Sequence, residues 1–361
     1  MKRFAIALLA AAALLPAAAQ TTQKLSAGKT NEYGLIYSLP VTSFDITVVS
    51  DKVIETPGEF YRYAGKYLGI DPITAPSTTY SLSKVIVTPR AIPSDDEKYL
   101  VQFKSGSTPF MILSDTNFPL AINTEQIAAT EPAALPESTV PEPSVLESPA
   151  ARQAMTAEML QSTSTAKRAE LAAARIFELR QSRSDIISGS ADNMPSDGKA
   201  MQLALDNLGA QEAALTAMFA GTRQTATEVS TFTYTPSADT DNLRTVIARI
   251  SSFKGIVDAA DLSGEPIYLY LQVIERGKLP VNEKGEQKRF PKGGFAYCIP
   301  GSAQITVSDF SGSKLLSQNF DVAQFGVVFG LDPNLFTDKK APAYAILNPL
   351  TGAITEIGTV Q

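Results

Sequence analysis

The chain has 361 residues, of which 44% are apolar and 19% are charged, and its formal net charge is −6. This composition is typical of a globular protein with a sizeable core, and the acidic balance argues against binding nucleic acid through net charge. The sequence has no histidine and a single cysteine. These absences exclude Ser-His-Asp and Cys-His nucleophile systems, histidine-ligated zinc and an intramolecular disulfide. We expect no cofactor and no bound metal.

Residues 1–19 have the order of a secretory signal peptide. Lys2 and Arg3 precede an apolar run, and a proline and three alanines end the segment at Ala19. This pattern predicts cleavage after Ala19, and the apolar run is too short to span a membrane. No cysteine lies near the cut, so lipid attachment is not expected. We predict an exported protein, periplasmic or extracellular and associated with the cell envelope, with no transmembrane segment after cleavage.

Residues 20–127 are predicted to form an N-terminal β-rich region with a short capped helix. Apolar Phe44, Ile46 and Val48 alternate with polar residues, as in a strand with one buried face. A proline at position 40 is expected to end the strand before it. The Thr-Pro-Gly-Glu sequence at 56–59 resembles a capping box and predicts a helix over 57–68.

Residues 128–151 are rich in proline and glutamate and contain no basic residue. Such a segment is predicted to be an extended, solvated linker or surface loop. Residues 152–221 then lack the strand pattern. One long helix is predicted from 152 to about 187, reaching roughly 50 Å, and a second from about 197 to 220. Two amphipathic helices joined by a short loop predict an antiparallel helical hairpin.

Residues 222–361 are predicted to form a C-terminal β-rich domain, because strand-like runs alternate with turn signals such as Ser311-Gly312. The predicted fold class is therefore α+β. It has two antiparallel β-rich regions, each a sandwich or open barrel, with the long helical hairpin between them.

Carboxylate pairs are the first candidates for chemistry, because they can act without histidine. One group is Asp258 with Asp261 and Glu265, and another is Glu275 with Glu283. Such groups are also typical of solvated loops, which is the simpler interpretation.

Two further features have a chemical and a structural interpretation. The sequence Asp-Thr-Asp-Asn at 239–242 resembles the start of a calcium loop but lacks the glycine and the final glutamate, so a turn is favoured. The lone Cys298 lies in an apolar, strand-like run and is predicted to be a buried thiol.

Half of the twelve tyrosines lie near the N-terminus. Among them, Tyr61, Tyr63 and Tyr67 fall on the predicted short helix and are the candidate ligand-binding residues. A tyrosine cluster can present a recognition face with little loss of entropy, or it can be the wall of a core.

Several short motifs resemble a domain-of-unknown-function family of exported proteins from Bacteroides-like bacteria. They are Tyr-Ser-Leu-Pro at 37–40, Pro-Gly-Glu-Phe-Tyr at 57–61, Met-Phe-Ala-Gly at 218–221, Gln-Phe-Gly-Val-Val at 324–328 and Asn-Pro-Leu-Thr-Gly at 348–352. The resemblance covers nearly all of the chain after residue 19. It implies an envelope or periplasmic location and no particular activity.

Three hypotheses for function follow. The favoured one is a non-enzymatic interaction or structural protein of the cell envelope, with an envelope protein or a second copy docking on the helical hairpin. The second is a module that binds a glycan or another small ligand through Tyr61, Tyr63 and Tyr67. The third is a carboxylate-based hydrolase.

Overall fold

The structure is a computed structural model, and it describes residues 20–25, 34–103, 110–129, 134–337 and 341–359. The predicted signal peptide at 1–19 and four residues of the predicted linker, 130–133, lie outside these ranges.

The described residues form an α+β fold, as the sequence predicted. The strands in chain order are β1 Gln20–Lys24, β2 Leu35–Thr56, β3 Ser77–Phe103, β4 Met111–Leu113, β5 Pro119–Ile122, β6 Thr222–Tyr234, β7 Asn242–Ser251, β8 Gly255–Val257, β9 Glu265–Glu275, β10 Phe295–Ser308, β11 Lys314–Leu331, β12 Ala343–Leu347 and β13 Ile354–Thr359. The helices are α1 Ala64–Tyr67, α2 Pro149–Ala154, α3 Ala157–Gln161, α4 Thr165–Ser188 and α5 Gly198–Ala220.

The strands form three antiparallel sheets. The first sheet has the order β1-β3-β2-β6, the second β11-β10-β9-β7-β8 and the third β13-β12-β5-β4. The first and second sheets pack face to face, with Phe44 and Ile46 from β2 against Leu269 from β9 and Ile305 from β10. Because β2 comes from the N-terminal region and β9 from the C-terminal region, the two β-rich regions share this core.

A second β core lies at the other end of the long strands. Tyr37 and Val101 of the first sheet pack there with Phe295 of the second sheet and with Ile122 and Ala345 of the third. Strands β2, β3, β10 and β11 have 14 to 27 residues each, so they extend from one core into the other.

Prolines lie inside these long strands and do not end them. Pro40 was expected to stop a strand, but β2 continues through it and Pro40 lies opposite Pro93 of β3. The pairing register shifts between Ser38 and Pro40, and a second shift falls between Ile299 and Gly301. At such irregularities the missing proline N–H costs no ladder hydrogen bond, so the strand tolerates proline there.

The helix predicted over 57–68 is shorter than expected. A 3₁₀ turn at Tyr61–Tyr63 leads into the four-residue α1, and Thr56 is the last residue of β2. The Phe60 N–H donates to the Met218 carbonyl at 2.7 Å, and a Cβ on Gly58 would lie 2.3 Å from the same oxygen. Close contact with the end of α5 therefore holds residues 57–60 in a non-helical conformation, and the predicted first helical turn does not form.

The long helix predicted over 152–187 is divided into α2, α3 and α4. Thr156 and Ser164 lie at the two breaks, and their hydroxyls accept hydrogen bonds from the N–H groups of Met159 and Lys167 at 3.2 and 3.4 Å. Serine and threonine at these positions satisfy the first free N–H groups of a new helix, so each break is an N-cap. The prediction of one continuous helix was wrong, whereas α5 matches its predicted bounds closely.

The described part of the proline-rich segment has no helix or strand from residue 134 to Ser144, and a 3₁₀ turn at Val145–Glu147 precedes α2. The Thr139 N–H donates to the Thr227 carbonyl at 2.9 Å, and the Ser138 hydroxyl accepts from the Val229 N–H at 3.0 Å. Both partners lie in β6, which is an edge strand of the first sheet. The segment therefore lies along a sheet edge, which would otherwise expose unpaired backbone groups, and most of its residues remain exposed, as in the surface loop that was one of the two predictions.

The family-like motifs contribute packing. The Tyr37 hydroxyl accepts from the Ala296 N–H at 2.7 Å and donates to the Ala296 carbonyl at 3.1 Å. Gly352 has a φ of 71°, and its carbonyl accepts from the Cys298 N–H at 3.0 Å. Both contacts join segments that are distant in sequence, and neither presents a reactive group.

Candidate interaction site on the helical hairpin

Helices α4 and α5 form an antiparallel hairpin whose turn is set by local sequence. Gly189 ends α4 with a φ of 74°, a left-handed conformation that favours glycine, and its N–H donates to the Ile186 carbonyl. Asp197 begins α5, and its carboxylate accepts from the Ala200 N–H at 2.7 Å. The predicted pair of antiparallel helices is therefore confirmed.

Burial is confined to the base of the hairpin. The last buried residue of α4 is Leu179 and the first buried residue of α5 is Ala214. Leu179 and Leu215 pack in a separate helical core with Phe60, Met159 and Phe219. None of the residues from 180 to 213 is buried, and we call this part the distal hairpin. Its α5 side is about 24 Å long at 1.5 Å per residue. Apart from Leu208, which packs against the helical core, no residue of the distal hairpin belongs to any of the three cores.

An ion-pair cluster marks the boundary between the base and the distal hairpin. Glu212 accepts hydrogen bonds from Arg180, at 2.7 Å, and from Arg183. Burial of the Glu212 carboxyl opposes its ionisation, but the hydrogen bonds and charges of the two arginines outweigh this effect and lower its pKa. The cluster therefore holds α4 against α5 just beyond the last buried residues.

Four large apolar side chains on the hairpin are exposed. The exposed fractions are 52% for Phe177, 69% for Ile187, 41% for Met194 and 71% for Leu203. These four residues were not predicted as site residues, because the helices were predicted from the apolar residues that share one face of each helix and these four lie off that face. Apolar residues off that face are the signal that could have indicated them. Contiguous exposed apolar patches are typical of surfaces that bind a partner, whereas single exposed apolar residues are common on any protein.

The predicted ligand-binding tyrosines stay together on the short helix but are partly packed. The ring centroids of Tyr63 and Tyr67 are 6.2 Å apart, and both residues pack against the helical core. The Arg62 guanidinium lies 5.5 Å from the Tyr61 ring centroid and the Lys66 ammonium 4.7 Å from that of Tyr67. Part of the aromatic surface is therefore covered by the protein's own residues.

The other N-terminal tyrosines do not join them. Tyr37 is buried and stacks on Tyr99 in the second β core, with 5.5 Å between ring centroids. Tyr80 lies near Lys52 in the first sheet, and Tyr33 lies outside the described residues. The crowding of tyrosines in the sequence is therefore not one cluster in space.

The two predicted carboxylate groups lie at opposite ends of β9, and within the first group Asp258 and Asp261 share one turn. Glu265 and Glu275 are the first and last residues of β9, about 33 Å apart along an extended strand. Asp258 and Asp261 lie in the β8–β9 turn, where they accept from the N–H groups of Ala260 and Ser263, both at 2.9 Å. Hydrogen bonds from Ser263, followed by Lys254, lower the pKa of Asp261 to about 2. A carboxyl that is so easily ionised is a poor general acid at neutral pH.

The Asp-Thr-Asp-Asn sequence forms a turn that a cation of the protein already contacts. The Arg276 guanidinium donates to the carbonyls of Ala238, at 2.9 Å, and Thr240, at 2.8 Å. Within the described ranges, no group of three or more histidine, cysteine, aspartate or glutamate side chains could hold a metal ion.

Cys298 is a buried thiol, as predicted. Its Sγ donates to the Ala323 carbonyl at 3.4 Å. Burial, followed by the nearby negative charge of Glu97, raises the pKa of the thiol to about 12. Because the thiolate is the reactive form, burial and the raised pKa both argue against a nucleophilic role for this cysteine.

The fold and the hairpin define an α+β protein with two shared β cores and a projecting helical arm. The chain belongs to the family described as Domain of unknown function (DUF4831), which matches residues 33–355. No curated protein and no solved structure matches the chain. In the part of the chain that the structure describes, no helix is long and apolar enough to cross a lipid bilayer.

Proposed function

We propose that the protein is a non-enzymatic interaction component of the cell envelope and that the distal hairpin binds a partner protein. The single observation that carries this proposal is the absence of any buried residue from 180 to 213, combined with the exposure of Ile187 and Leu203. Within the described chain, the hairpin leaves these apolar side chains in water, where covering them would be favourable.

The location in the envelope, in Bacteroides-like bacteria, is part of the same proposal. It rests on the signal-peptide pattern of residues 1–19. Intact-mass measurement of the protein isolated from its native cells should show the loss of residues 1–19. A full-length mass in the cytoplasmic fraction would contradict export.

The proposal that the protein is not an enzyme rests on the sequence, which has no histidine, and on the burial and raised pKa of the Cys298 thiol. Turnover of any polysaccharide or peptide by the purified chain, lost on changing one acidic side chain, would contradict this part of the proposal.

Co-purification from envelope extract tests the interaction. We expect the wild-type chain to recover one partner in a stoichiometric amount. The double variant Ile187→Ser, Leu203→Ser should lose it while keeping its fold by circular dichroism. A matched control changes two exposed apolar residues far from the hairpin, Phe253→Ser with Leu262→Ser, and should keep the partner. A wild-type monomer by light scattering with no stoichiometric partner would refute the proposal, and a complex of two identical chains would identify the partner as a second copy.

A second candidate is binding of a glycan or another small ligand at Tyr61, Tyr63 and Tyr67. The observation in its favour is the adjacency of the Tyr63 and Tyr67 rings. A saturable thermal shift with polysaccharide fragments that Tyr61→Ala or Tyr63→Ala abolishes would support it. The absence of a shift across a broad panel would refute it.

A further inference from the structure

The outward face of the second sheet carries an unusual set of side chains. Ile267, Leu269 and Leu271 of β9 point into the first core, so the alternation of a strand places Tyr268, Tyr270 and Gln272 on the opposite side. The same alternation applies to β10, where Ala303, Ile305 and Val307 are the inward residues. The face therefore lies on the solvent side of the sheet.

The register of four strands aligns polar side chains in two rows, because residues directly opposite each other in an antiparallel pair share a face. In the first row, Gln272 pairs with Asn242 on one side and Gln304 on the other, and Gln304 pairs with Asn319. The second row contains Arg244, Tyr270, Thr306 and Ser317. Four strands at their usual spacing make each row about 14 Å long. We call this surface the amide–tyrosine face; its members are Asn242, Arg244, Tyr268, Tyr270, Gln272, Gln304, Thr306, Ser317 and Asn319.

The two tyrosines are held in place on one side. The Arg244 guanidinium carbon lies 4.0 Å from the Tyr268 ring centroid and 5.3 Å from that of Tyr270. Among the described residues, neither phenol hydroxyl has a hydrogen-bond partner. Ser308 lies opposite Tyr268 and is 3% exposed, and its hydroxyl also has no partner there. The phenol hydroxyls of Tyr268 and Tyr270 are therefore available to a ligand, whereas the Ser308 hydroxyl is buried beneath them.

The chemistry of the face selects its ligand. Arg244 is the one charged side chain among the nine members, whereas amides, hydroxyls and phenols supply both donors and acceptors. Gln304 donates to Asn319 at 3.3 Å and the hydroxyls of Thr306 and Ser317 are 3.0 Å apart, so these pairs bind each other across the strands. Their remaining donor and acceptor positions suit an uncharged, hydroxyl-rich molecule, whereas an ionic ligand would find a single opposite charge among the nine members.

Tyrosine rings also offer flat apolar surface to the C–H faces of a sugar. We propose that the amide–tyrosine face binds a neutral oligosaccharide. This site is separate from the distal hairpin and from Tyr61, Tyr63 and Tyr67.

Affinity electrophoresis of the chain lacking residues 1–19 tests this proposal. The gels contain a panel of neutral soluble polysaccharides, with glucans, mannans, xylans and galactans represented, and one acidic polysaccharide for comparison. We expect at least one neutral polysaccharide to retard the wild-type protein. Retardation should persist in about 0.5 M salt, where exposed charges are screened.

Variants assign the retardation to the face. Tyr270→Ala and Gln304→Ala should each weaken binding about tenfold, as expected for losing one or two good contacts. Gln304 is on the surface, so its variant keeps the test valid if Tyr270→Ala does not fold. Tyr344→Ala, in β12 of the third sheet, is the matched tyrosine control and should bind like the wild type. Tyr61→Ala tests the second candidate glycan site separately. Binding to no neutral polysaccharide, binding only to the acidic one, or loss with Tyr61→Ala and not with Tyr270→Ala would overturn the proposal.

Discussion

Two leucine-to-alanine changes on the same hairpin should differ sharply in their effect on stability. Leu179 is 1% exposed and packs in the helical core, whereas Leu203 is 71% exposed. Removing the buried leucine side chain loses about 2–2.5 kcal/mol of transfer free energy, and the cavity left behind raises the total to about 3–4 kcal/mol. Less than a third of the Leu203 side chain is covered, so its loss is about 0.7 kcal/mol, and the better helix propensity of alanine offsets part of it.

Urea unfolding of the chain lacking residues 1–19, followed by circular dichroism at 25 °C, measures both changes. We expect the free energy of unfolding to fall by about 3–4 kcal/mol for Leu179→Ala and by less than about 0.5 kcal/mol for Leu203→Ala. The same Leu203→Ala variant should nevertheless recover less partner from envelope extract. A loss of about 2 kcal/mol or more for Leu203→Ala in the isolated chain would refute the reasoning, because it would mean that the distal hairpin is packed in the free protein.

Three further predictions concern single residues. Glu212→Gln should lower the free energy of unfolding at neutral pH by about 1 kcal/mol, a modest effect because both arginine partners are partly exposed. The pKa of Glu212 is lowered in the folded protein. The ion pair therefore stabilises the fold above the unfolded pKa of about 4.3, and this contribution is lost as the pH falls through the folded pKa. Urea midpoints at pH 7 and about pH 3 should therefore differ more for the wild type than for the variant, and equal differences would exclude the ion pair as a stabilising contact. Gly58→Ala should lower the free energy of unfolding by about 2 kcal/mol or more, because its Cβ would lie 2.3 Å from the Met218 carbonyl oxygen. Gly65→Ala, whose Cβ would have no atom within 4 Å, should leave stability unchanged or raise it. Similar unfolding midpoints for the two variants would contradict the contact at Gly58. Cys298 should resist iodoacetamide in the folded protein at about pH 8 and react fully in urea, because its thiol is buried with a raised pKa; labelling of the native protein at the rate of a free thiol would show that the site opens.

The sequence predicted the elements that depend on local pattern. The 3.6-residue stripe of α4 and α5 indicated the hairpin, and turn residues such as Gly189 closed it where expected. The breaks around α3 were missed because helix-forming residues flank Thr156 and Ser164, and only the cap geometry shows that each begins a new helix. The strand before Pro40 was predicted too short because a proline inside a strand usually ends it. The strand continues here because Pro40 lies at a register shift, and that shift depends on the partner strand, which the local sequence does not show.

The candidate sites depended more on tertiary contacts. The N-terminal tyrosines do not share one core. Tyr37 lies in β2 and packs in the second β core, whereas Tyr63 lies in the 3₁₀ turn before α1 and packs against the helical core. The amide–tyrosine face could not be predicted, because Asn242, Gln272 and Gln304 are aligned only by the register of strands distant in sequence. The exposure of Leu203 likewise required the structure, since an apolar residue off the main stripe can equally be covered by another element.

A photo-crosslinking amino acid placed at position 203 gives the most direct test of whether a partner protein docks on the distal hairpin. The protein carrying it is expressed in its native cells, and a second protein carries the same amino acid at position 252, an exposed residue between β7 and β8. The account predicts one discrete adduct from position 203 that is absent from position 252 and absent when Ile187 is also changed to serine. Equal adduct patterns from the two positions, or no adduct from position 203, would contradict a docking role for the distal hairpin.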